Sequence, residues 1–486
     1  MSGRDRTRAV VIGAGVAGLL AAFALAGNVD EVTVIERDRL PDGPEPRAGA
    51  PQGHHAHVLL PCGAAAIDEL VPGALAALVE AGAPSVGLPR DIVVRSPYGW
   101  LARHGPWETI LTCTRGLIEW TLRRRLLTDT GAAVRAGTEV IGLLGGPGRV
   151  TGVLARRRGD GRVDRVGADL VVDASGHGSA APRWLAGFGA VVRETVADSG
   201  VAYATRPCRL PAPLAGELPA VYLRLDMRKV SRGGLLVPVE DGRWLATLFG
   251  TRGAVPDPGA DGHAAFAREL PDPLIAQMLA RAEPAGPVRA FRRTASHRRH
   301  YERMRRRPEG FVVLGDAACT FNPAYGQGVS VAALGALALR EAYAGGPRPG
   351  TARRAQRAVA RSADTAWRIA FGLDQRHPLA HGARPGPPRR LLNRYLDRLD
   401  AVSAQDPRVQ RAMVGVYALT VPAARLLGPA TLLAAARGPL APPAARPPLT
   451  PKERTTLAGA GSVRAAPLLR APRAPDATTT GSVHDQ

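Results

Sequence analysis

The feature that most constrains this chain is a glycine-rich turn that joins a short β-branched strand, 8–12, to an alanine- and leucine-rich helix, 16–26. Gly13 allows the tight turn, Gly15 lets a pyrophosphate approach the backbone at the helix N-terminus, and Gly18 lets the helix pack closely on the strand. The whole turn reads Gly13, Ala14, Gly15, Val16, Ala17, Gly18. This pattern predicts the start of a doubly wound α/β domain that binds a dinucleotide.

An acidic residue at the end of the next strand strengthens this prediction. Residues 31–35 alternate as a strand does, and Glu36 follows 23 residues after Gly13. The Glu36 carboxylate can accept hydrogen bonds from the hydroxyls of an adenosine ribose, and we include Arg37 beside it in the predicted site. The turn and the acidic residue do not by themselves distinguish FAD from NAD.

A second motif, about 300 residues further along, favours FAD. Gly315 and Asp316 directly follow an apolar strand, 311–314, and Gly326 and Gly328 precede a predicted helix. An aspartate at a strand end can hold a ribitol hydroxyl, and the glycines let the helix N-terminus approach the pyrimidine edge of a flavin. Backbone N–H groups there favour negative charge on reduced flavin. The alternative is that Asp316 only caps a helix.

Periodicity and composition divide the chain into five parts. We predict an FAD-binding domain formed by 1–189 and 291–350, with a substrate-binding mixed β-sheet domain inserted over 190–290. Helical patterns occupy much of 351–450, and 451–486 is dense in Pro, Ala, Arg and Thr. We predict that this last segment is disordered.

The net charge of +22 does not indicate a polyanion partner. Lys229 and Lys452 are the only lysines, so the arginine excess resembles a codon bias, and no recognition motif accompanies it. We therefore expect no nucleic-acid partner.

The four cysteines lack the spacing of a metal or redox site, which favours a reduced, cytoplasmic environment. No stretch reaches the roughly 20 apolar residues of a membrane span. Peripheral membrane contact near 413–435 stays open, as does the oligomeric state.

Two further segments carry a resemblance to a known family. They are Asp173, Ala174, Ser175, Gly176 after a predicted strand, and Arg115 within Thr114, Arg115, Gly116, Leu117, Ile118, Glu119. With the glycine motifs, they make residues 8–449 resemble the flavoprotein monooxygenases of the p-hydroxybenzoate hydroxylase and squalene epoxidase type. The resemblance implies that Arg115 reaches the phosphate and ribose region of FAD. Segments 51–60, 200–206 and 242–248 are similar to actinobacterial enzymes that epoxidise polyene polyketides.

The resemblance places the segment with His54, His55 and His57 beside the flavin, and Arg47 lies seven residues before His54. We expect Arg47 to contact the FAD phosphates or an incoming nicotinamide, and the alternative is a solvated loop arginine. His54, His55 and His57 could be interpreted as metal ligands. We expect no metal, because no carboxylate or cysteine partner stands at fitting spacing.

The resemblance implies a monooxygenase in which reduced FAD reacts with O2 to give a C4a-hydroperoxide that oxygenates an electron-rich alkene or arene. NADPH or NADH would supply the electrons, directly or through a reductase. We assign no catalytic side chain, because the flavin carries the chemistry, and the sequence offers no clear base for phenol hydroxylation. An aromatic hydroxylase, a prenyl-chain reductase and a non-redox cyclase that keeps FAD as a scaffold stay open as alternatives.

The expected substrate is a small apolar molecule, such as a polyene polyketide or a similar secondary metabolite. Aromatic residues make up 5% of the chain, which favours a pocket lined mainly by aliphatic groups. We place the pocket between the inserted sheet and the flavin. Its candidate lining residues, for which ordinary core packing is the alternative, are Tyr203, Tyr222, Leu236, Trp244 and Phe249.

Overall fold

The strands of the protein belong to sheets built from distant parts of the chain. The structure, a computed structural model, describes residues 6–382 and 384–459. Its strands are β1 (Arg8–Ile12), β2 (Glu31–Ile35), β3 (His57–Leu59), β4 (Ser85–Leu88), β5 (Ile92–Ser96), β6 (Gly99–Trp100), β7 (Glu108–Cys113), β8 (Ala133–Arg135), β9 (Thr138–Gly145), β10 (Val150–Arg157), β11 (Val163–Gly167), β12 (Leu170–Asp173), β13 (Glu194–Asp198), β14 (Ala202–Arg209), β15 (Ala220–Leu223), β16 (Arg232–Pro238), β17 (Trp244–Gly250), β18 (Glu283–Pro284), β19 (Arg289–Phe291), β20 (Ser296–Arg299), β21 (Phe311–Val313), β22 (Cys319–Thr320) and β23 (His381–Gly382).

The α-helices cover the faces of these sheets and fill the C-terminal part. They are α1 (Val16–Leu25), α2 (Pro61–Leu70), α3 (Ala74–Glu80), α4 (Arg115–Asp129), α5 (Ala181–Ala186), α6 (Ala212–Glu217), α7 (Ala260–Arg268), α8 (Leu274–Leu279), α9 (Gly328–Tyr343), α10 (Thr351–Ser362), α11 (Asp364–Asp374), α12 (Pro387–Ser403), α13 (Pro407–Tyr417), α14 (Pro429–Arg437) and α15 (Pro451–Gly459).

A parallel five-stranded sheet in the order β21-β12-β1-β2-β8 forms the first layer. All four of its pairings are parallel. Residues of β1 are buried on both faces, as helix-covered parallel strands require: Val11 packs among α1, α4 and α9, and Val10 packs toward β10. The predicted α/β Rossmann-like fold is confirmed. The carboxyl ends of β1, β12 and β21 bring Gly13, Ala174 and Gly315 to one edge.

A second large sheet runs in the order β18-β14-β17-β16-β15-β5-β6, with β19 paired to β14. It corresponds to the sheet predicted over 190–290, but β5 and β6 come from 92–100, which we had placed in the first domain. The pairing of β15 with β5 is parallel and joins residues more than 120 positions apart, such as Ala220 and Ile92. Strand alternation carries no information about so distant a partner.

The C-terminal part is helical, with α12, α13 and α14 sharing a core of their own. The prediction of disorder from residue 451 is wrong for 451–459, which form α15. Thr450 and Glu453 cap this helix reciprocally, with Glu453 N donating to Thr450 Oγ1 (3.2 Å) and Thr450 N to Glu453 Oε2 (2.6 Å). Arg103 also pairs with Glu453 at 2.6 Å. Residues 460–486 lie outside the described residues.

Among the described residues, no single helix is long and apolar enough to span a membrane. The sharply bent pair Pro61–Leu70 and Ala74–Glu80 has the length and composition of a span when the two helices are taken together.

Candidate cofactor and substrate site

The glycine turn after β1 has the geometry that its sequence predicts. Gly13 adopts a φ of +99°, and a Cβ there would lie 2.8 Å from the carbonyl oxygen of Ala174. A Cβ on Gly18 would lie 1.8 Å from the Gly13 oxygen, so α1 packs on the turn at a distance that only glycine permits. Gly15 is the N-cap residue of α1, and no side-chain capping hydrogen bond is made there within the described chain. The first N–H groups of α1 are therefore available to an anion.

Glu36 lies at the end of β2 and is 4% exposed. Its carboxylate accepts hydrogen bonds from Ala14 N (2.7 Å) and Asp38 N (2.9 Å), which fixes it beside the turn. The Arg37 side chain is half exposed, and its Nε lies 4.0 Å from Asp38 Oδ1. The structure therefore brings Glu36 to the glycine turn, and the contact of Arg37 with the cofactor stays a prediction.

Two arginines and a glutamate lie over the glycine turn. Arg47 Nε contacts Glu119 Oε2 at 2.9 Å, and Arg115 Nε contacts Glu119 Oε1 at 2.6 Å. The end nitrogens of Arg115 and Arg47 lie 3.1 and 3.3 Å from where a Cβ of Gly15 would stand. The Arg47 side chain is 10% exposed and also pairs with Glu36 at 3.1 Å. The alternative hypothesis that Arg47 is a solvated loop arginine is therefore wrong.

The sequence analysis did not assign Glu119 a role. Burial raises the pKa of Glu119, but the charges and hydrogen bonds of Arg115 and Arg47 outweigh it and hold the pKa below its usual range. The carboxylate thus aligns two guanidinium groups above free N–H groups. This donor set fits a diphosphate, since guanidinium and helix N-terminal N–H groups both bind phosphate oxygens. The i, i+4 spacing of Arg115 and Glu119 in the sequence could have predicted this ion pair on α4.

The second motif forms a loop, residues 315–328, between β21 and α9. Gly315 has a φ of +61°, and a Cβ on it would lie 2.6 Å from Cβ of Ala17, so this loop packs directly on α1. The Asp316 carboxylate makes no hydrogen bond to any described residue, and burial raises its pKa although Arg115 opposes the effect. A Cβ on Gly328 would lie 3.9 Å from Asp316 Oδ1. Gly326 has a φ of +65° and open space on its side-chain face.

The residues of this loop therefore fit a flavin. The Asp316 side chain is half-buried, and its carboxylate can accept a hydrogen bond from a hydroxyl donor such as a ribitol chain. Helix α9 begins beside it at Gly328, and its N-cap residue Gln327 makes no capping hydrogen bond within the described ranges. Its first N–H groups are available to the pyrimidine edge of the flavin.

A buried carboxylate on α11 holds the 315–328 loop in place. Asp374 is fully buried and accepts hydrogen bonds from Ser296 Oγ (2.6 Å), Ser199 Oγ (2.8 Å), Tyr325 OH (2.8 Å) and Asn322 Nδ2 (3.0 Å). Burial raises the pKa of Asp374, and these four donors oppose the rise. The loop is thereby tied to α11 and β20.

The large sheet presents one face to this loop. The site-facing cluster consists of Val201, Tyr203, Met227 and Phe249, with Tyr222, Leu225, Leu235, Phe291, Ala324 and Leu373 packed against it. Tyr222 OH donates to the carbonyl oxygen of Ala324 at 3.2 Å, which joins the sheet to the loop. Four of these ten side chains are aromatic and six are not, so the face combines aromatic rings with a larger number of non-aromatic apolar groups.

The five predicted lining residues lie on two opposite faces of the large sheet. Tyr203, Tyr222 and Phe249 belong to the site-facing cluster. Leu236 and Trp244 lie on the opposite face of the same sheet, in the core with α6, α7 and α8. We therefore do not retain Leu236 and Trp244 as lining residues, because side chains on a strand alternate between faces.

The histidine cluster lies between the glycine turn and the sheet. His55 is 3% exposed, and its Nδ1 lies 2.7 Å from Thr205 Oγ1 on β14. His57 Nδ1 lies 2.9 Å from the His55 carbonyl oxygen. Burial, and next the charge of Arg115, lower the pKa of His57 to about 4. Across 6–382 and 384–459, no group of three or more His, Cys, Asp or Glu side chains is arranged to hold a metal ion.

Comparisons with known proteins agree with this geometry. Residues 6–355 match the family model described as FAD binding domain. The chain is 36% identical over 356 residues to Protein Rv3254 of Mycobacterium tuberculosis, which covers 70% of this chain and 73% of that protein. It is 30% identical over 365 residues to kynurenine 3-monooxygenase of Salinispora arenicola, which covers 71% of this chain and 74% of that enzyme.

Among solved structures, the flavin-dependent brominase Bmp2 is similar with a TM-score of 0.62 and 16% identity, over 85% of this chain and 94% of that one. This last likeness concerns the fold alone. The family match covers both glycine motifs, Glu36 and Arg115, whose geometry is described above. The chain belongs to the FAD binding domain family, and within it to the FAD-dependent monooxygenases of the p-hydroxybenzoate hydroxylase type.

Proposed function

We propose that this enzyme adds one oxygen atom from O2 to a small apolar secondary metabolite, by epoxidation or hydroxylation, with NADPH or NADH as the electron donor. The observation that carries the proposal is the site-facing cluster. It places Tyr203, Tyr222 and Phe249 opposite Ala324 of the 315–328 loop, whose Asp316 and helix N-terminus fit a flavin.

The side chains of the nucleotide half would hold the cofactor. Arg47, Arg115 and the N-terminus of α1 suit the diphosphate of FAD, and Glu36 suits the adenosine ribose. Asp316 suits the ribitol chain. Bound FAD, once reduced, supplies the activation of O2.

The remaining residues act by positioning and by excluding water. The N-terminus of α9 favours the negative charge of the reduced cofactor. Asp374 holds Asn322 and Tyr325, and with them the loop, in one arrangement. The buried apolar face of the sheet removes water from the space next to the loop, which protects oxygen transfer from wasteful hydrolysis and strengthens the polar contacts that remain.

An apolar substrate suits the hydrophobic side chains of the site-facing cluster, among which Tyr203 and Phe249 are buried. A polyene polyketide agrees with this, as do the sequence segments at 51–60, 200–206 and 242–248, and an apolar arene agrees equally well with the aromatic rings of the face. Epoxidation and hydroxylation thus share one site, and the identity of the π-system attacked decides between them.

The test is to incubate the FAD-loaded enzyme with NADPH, O2 and a panel of conjugated polyenes and apolar arenes, and to follow both NADPH oxidation and product mass. We expect substrate to accelerate NADPH oxidation and the product to be heavier by one oxygen atom. Asp316→Asn is expected to lose the reaction. The matched control Asp160→Asn, in the exposed turn between β10 and β11, is expected to keep it.

Two outcomes would overturn the proposal. A product heavier only by hydrogen would identify a reductase. An isomerised product formed without NADPH or O2 would identify a non-redox cyclase.

A further inference from the structure

His55 is a buried side chain with an unused hydrogen-bonding atom. It follows a short helical turn, Pro51–His54, and only 3% of its surface is exposed. Its Nδ1 is engaged by Thr205 at 2.7 Å, while its Nε2 is fully buried and has no hydrogen-bond partner among the residues that the structure describes. Native proteins satisfy nearly all such atoms, so an orphaned one points to a group that binds there.

The imidazole borders the space that we assign to the substrate. Its ring contacts Tyr203 edge-on, with centroids 4.4 Å apart, and Phe291 at 5.9 Å. Both rings belong to the site-facing cluster, which also contains Ala324 of the 315–328 loop. The two nitrogens of an imidazole point in diverging directions, so Nε2 faces away from Thr205.

A pair of threonine hydroxyls supports the imidazole from behind. Thr205 Oγ1 lies 2.8 Å from Thr247 Oγ1 on the neighbouring strand β17. Each hydroxyl can donate or accept, so the chain from Thr247 through Thr205 to Nδ1 can run in either direction. Nε2 can therefore present a lone pair or an N–H group without any change in the surrounding side chains.

The imidazole is uncharged at neutral pH. Burial lowers the pKa of His55 to about 3, and the neighbouring His57 and His54 lower it further. A carboxylate or phosphate placed against Nε2 would meet no positive charge on this ring. A hydroxyl or a carbonyl group would be satisfied by one of its two tautomers.

We propose that His55 Nε2 is the hydrogen-bonding site for an uncharged oxygen substituent, a hydroxyl or a carbonyl, on the apolar substrate. This inference rests on the proposed function, since it assigns the substrate of the same site. It makes His55 a specificity-determining residue. The sequence analysis found no side chain for that role.

The experiment measures binding rather than turnover, on the FAD-loaded enzyme. Three probes of similar size are compared by isothermal titration: 2-naphthol with a hydroxyl, 2-tetralone with a carbonyl, and naphthalene with neither. We expect the oxygenated probes to bind about tenfold or more tightly than naphthalene, which corresponds to ~1.4 kcal/mol. Which of 2-naphthol and 2-tetralone binds more tightly distinguishes a hydroxyl substrate from a carbonyl one.

Two substitutions assign the effect to His55. His55→Leu is expected to abolish the preference for the oxygenated probes, and His55→Gln, which keeps a donor and an acceptor, to restore part of it. The matched control is His263→Leu. His263 is equally buried, at 2% exposure, but lies behind the sheet with its Nε2 3.3 Å from the Ala246 oxygen. It should leave the preference unchanged.

A signal from the ring itself provides a second readout. In enzyme labelled with ¹⁵N-histidine, 2-naphthol should shift the Nε2 resonance of His55, and naphthalene should not. Equal affinity for all three probes, an unshifted His55 resonance, or failure of every probe to bind would overturn the proposal. A His55-dependent preference in an enzyme that oxygenates nothing would instead retain this site and refute the proposed function.

Discussion

Gly15 and Gly18 stand three residues apart in one turn, yet the structure predicts opposite consequences for replacing each with alanine. The nearest atoms to a Cβ on Gly15 would be the ends of three flexible side chains, Arg115 at 3.1 Å, Arg47 at 3.3 Å and Glu119 at 3.5 Å. The backbone of Gly15 is extended, with φ −76° and ψ 177°, which alanine adopts readily. We expect Gly15→Ala to change the free energy of unfolding by less than about 1 kcal/mol.

The same substitution should weaken cofactor binding strongly. The added methyl group occupies the place where a diphosphate must approach the helix N-terminus. Loss of one charge-assisted hydrogen bond from a backbone N–H costs ~2 kcal/mol, which raises the Kd for FAD roughly 30-fold. Gly18→Ala is different, because its Cβ would lie 1.8 Å from the Gly13 oxygen, a backbone atom that cannot move aside. We expect it to destabilise the fold by about 3 kcal/mol or more.

The assay is fluorescence titration of FAD into the apoprotein, with urea unfolding of the same samples. The expected pattern is a stable Gly15→Ala protein that binds FAD poorly, and an unstable Gly18→Ala protein. If Gly15→Ala binds FAD as tightly as the parent chain, the diphosphate does not lie on this turn and the assignment of the cofactor site is wrong.

Three other predictions concern buried titratable side chains. Glu119→Gln leaves Arg47 and Arg115 without their shared carboxylate, so the free energy of unfolding in urea should fall by about 3 kcal/mol in the apoprotein. The fall should be smaller with FAD bound, because the diphosphate replaces that negative charge. Equal falls with and without FAD would contradict this prediction. Asp374→Asn should lower the free energy of unfolding by about 2–4 kcal/mol. It should also weaken FAD binding in the same titration, because the carboxylate holds the 315–328 loop in place. Unchanged FAD affinity would show that Asp374 does not position this loop for the cofactor. Burial lowers the pKa of His55 from 6.5 to about 3. Below pH 6.5 the unfolded chain therefore binds a proton at His55 that the folded chain does not bind, so the free energy of unfolding falls as the pH falls. The contribution of His55 to this fall reaches ~2 kcal/mol at pH 5. His55→Gln should make the fall in unfolding free energy between pH 6.5 and 4 shallower, and parallel curves for the two proteins would refute this.

The cofactor half of the site could be predicted from the sequence because its signals are local. Gly13, Gly18 and Gly315 are required by backbone geometry within a few residues, and Glu36 and Asp316 stand at strand ends that the apolar pattern marks. The helix at 451–459 was missed although its signal was equally local. Thr450 and Glu453 form a capping box that the sequence displays, and the proline-rich composition around it obscured the pattern.

The substrate half could not be predicted to the same depth. All seven residues of β17 are buried, so hydrophobic alternation does not reveal which of them face the site. Trp244 therefore could not be distinguished from Phe249, although the two side chains lie on opposite faces of the sheet. Thr205 forms a hydrogen bond with His55, which is 150 residues away in the sequence. Asp374 accepts a hydrogen bond from Ser199, which is 175 residues away. Such contacts follow from the packing of separate elements and leave no trace in local sequence patterns.

The origin of the added oxygen atom decides between a monooxygenase and the alternative reactions. The FAD-loaded enzyme, reduced by NADPH, is supplied with ¹⁸O2 in ordinary water, and the product is examined by mass spectrometry. We expect one ¹⁸O atom in each product molecule. A product whose new oxygen comes from water, or a product without new oxygen, would contradict it.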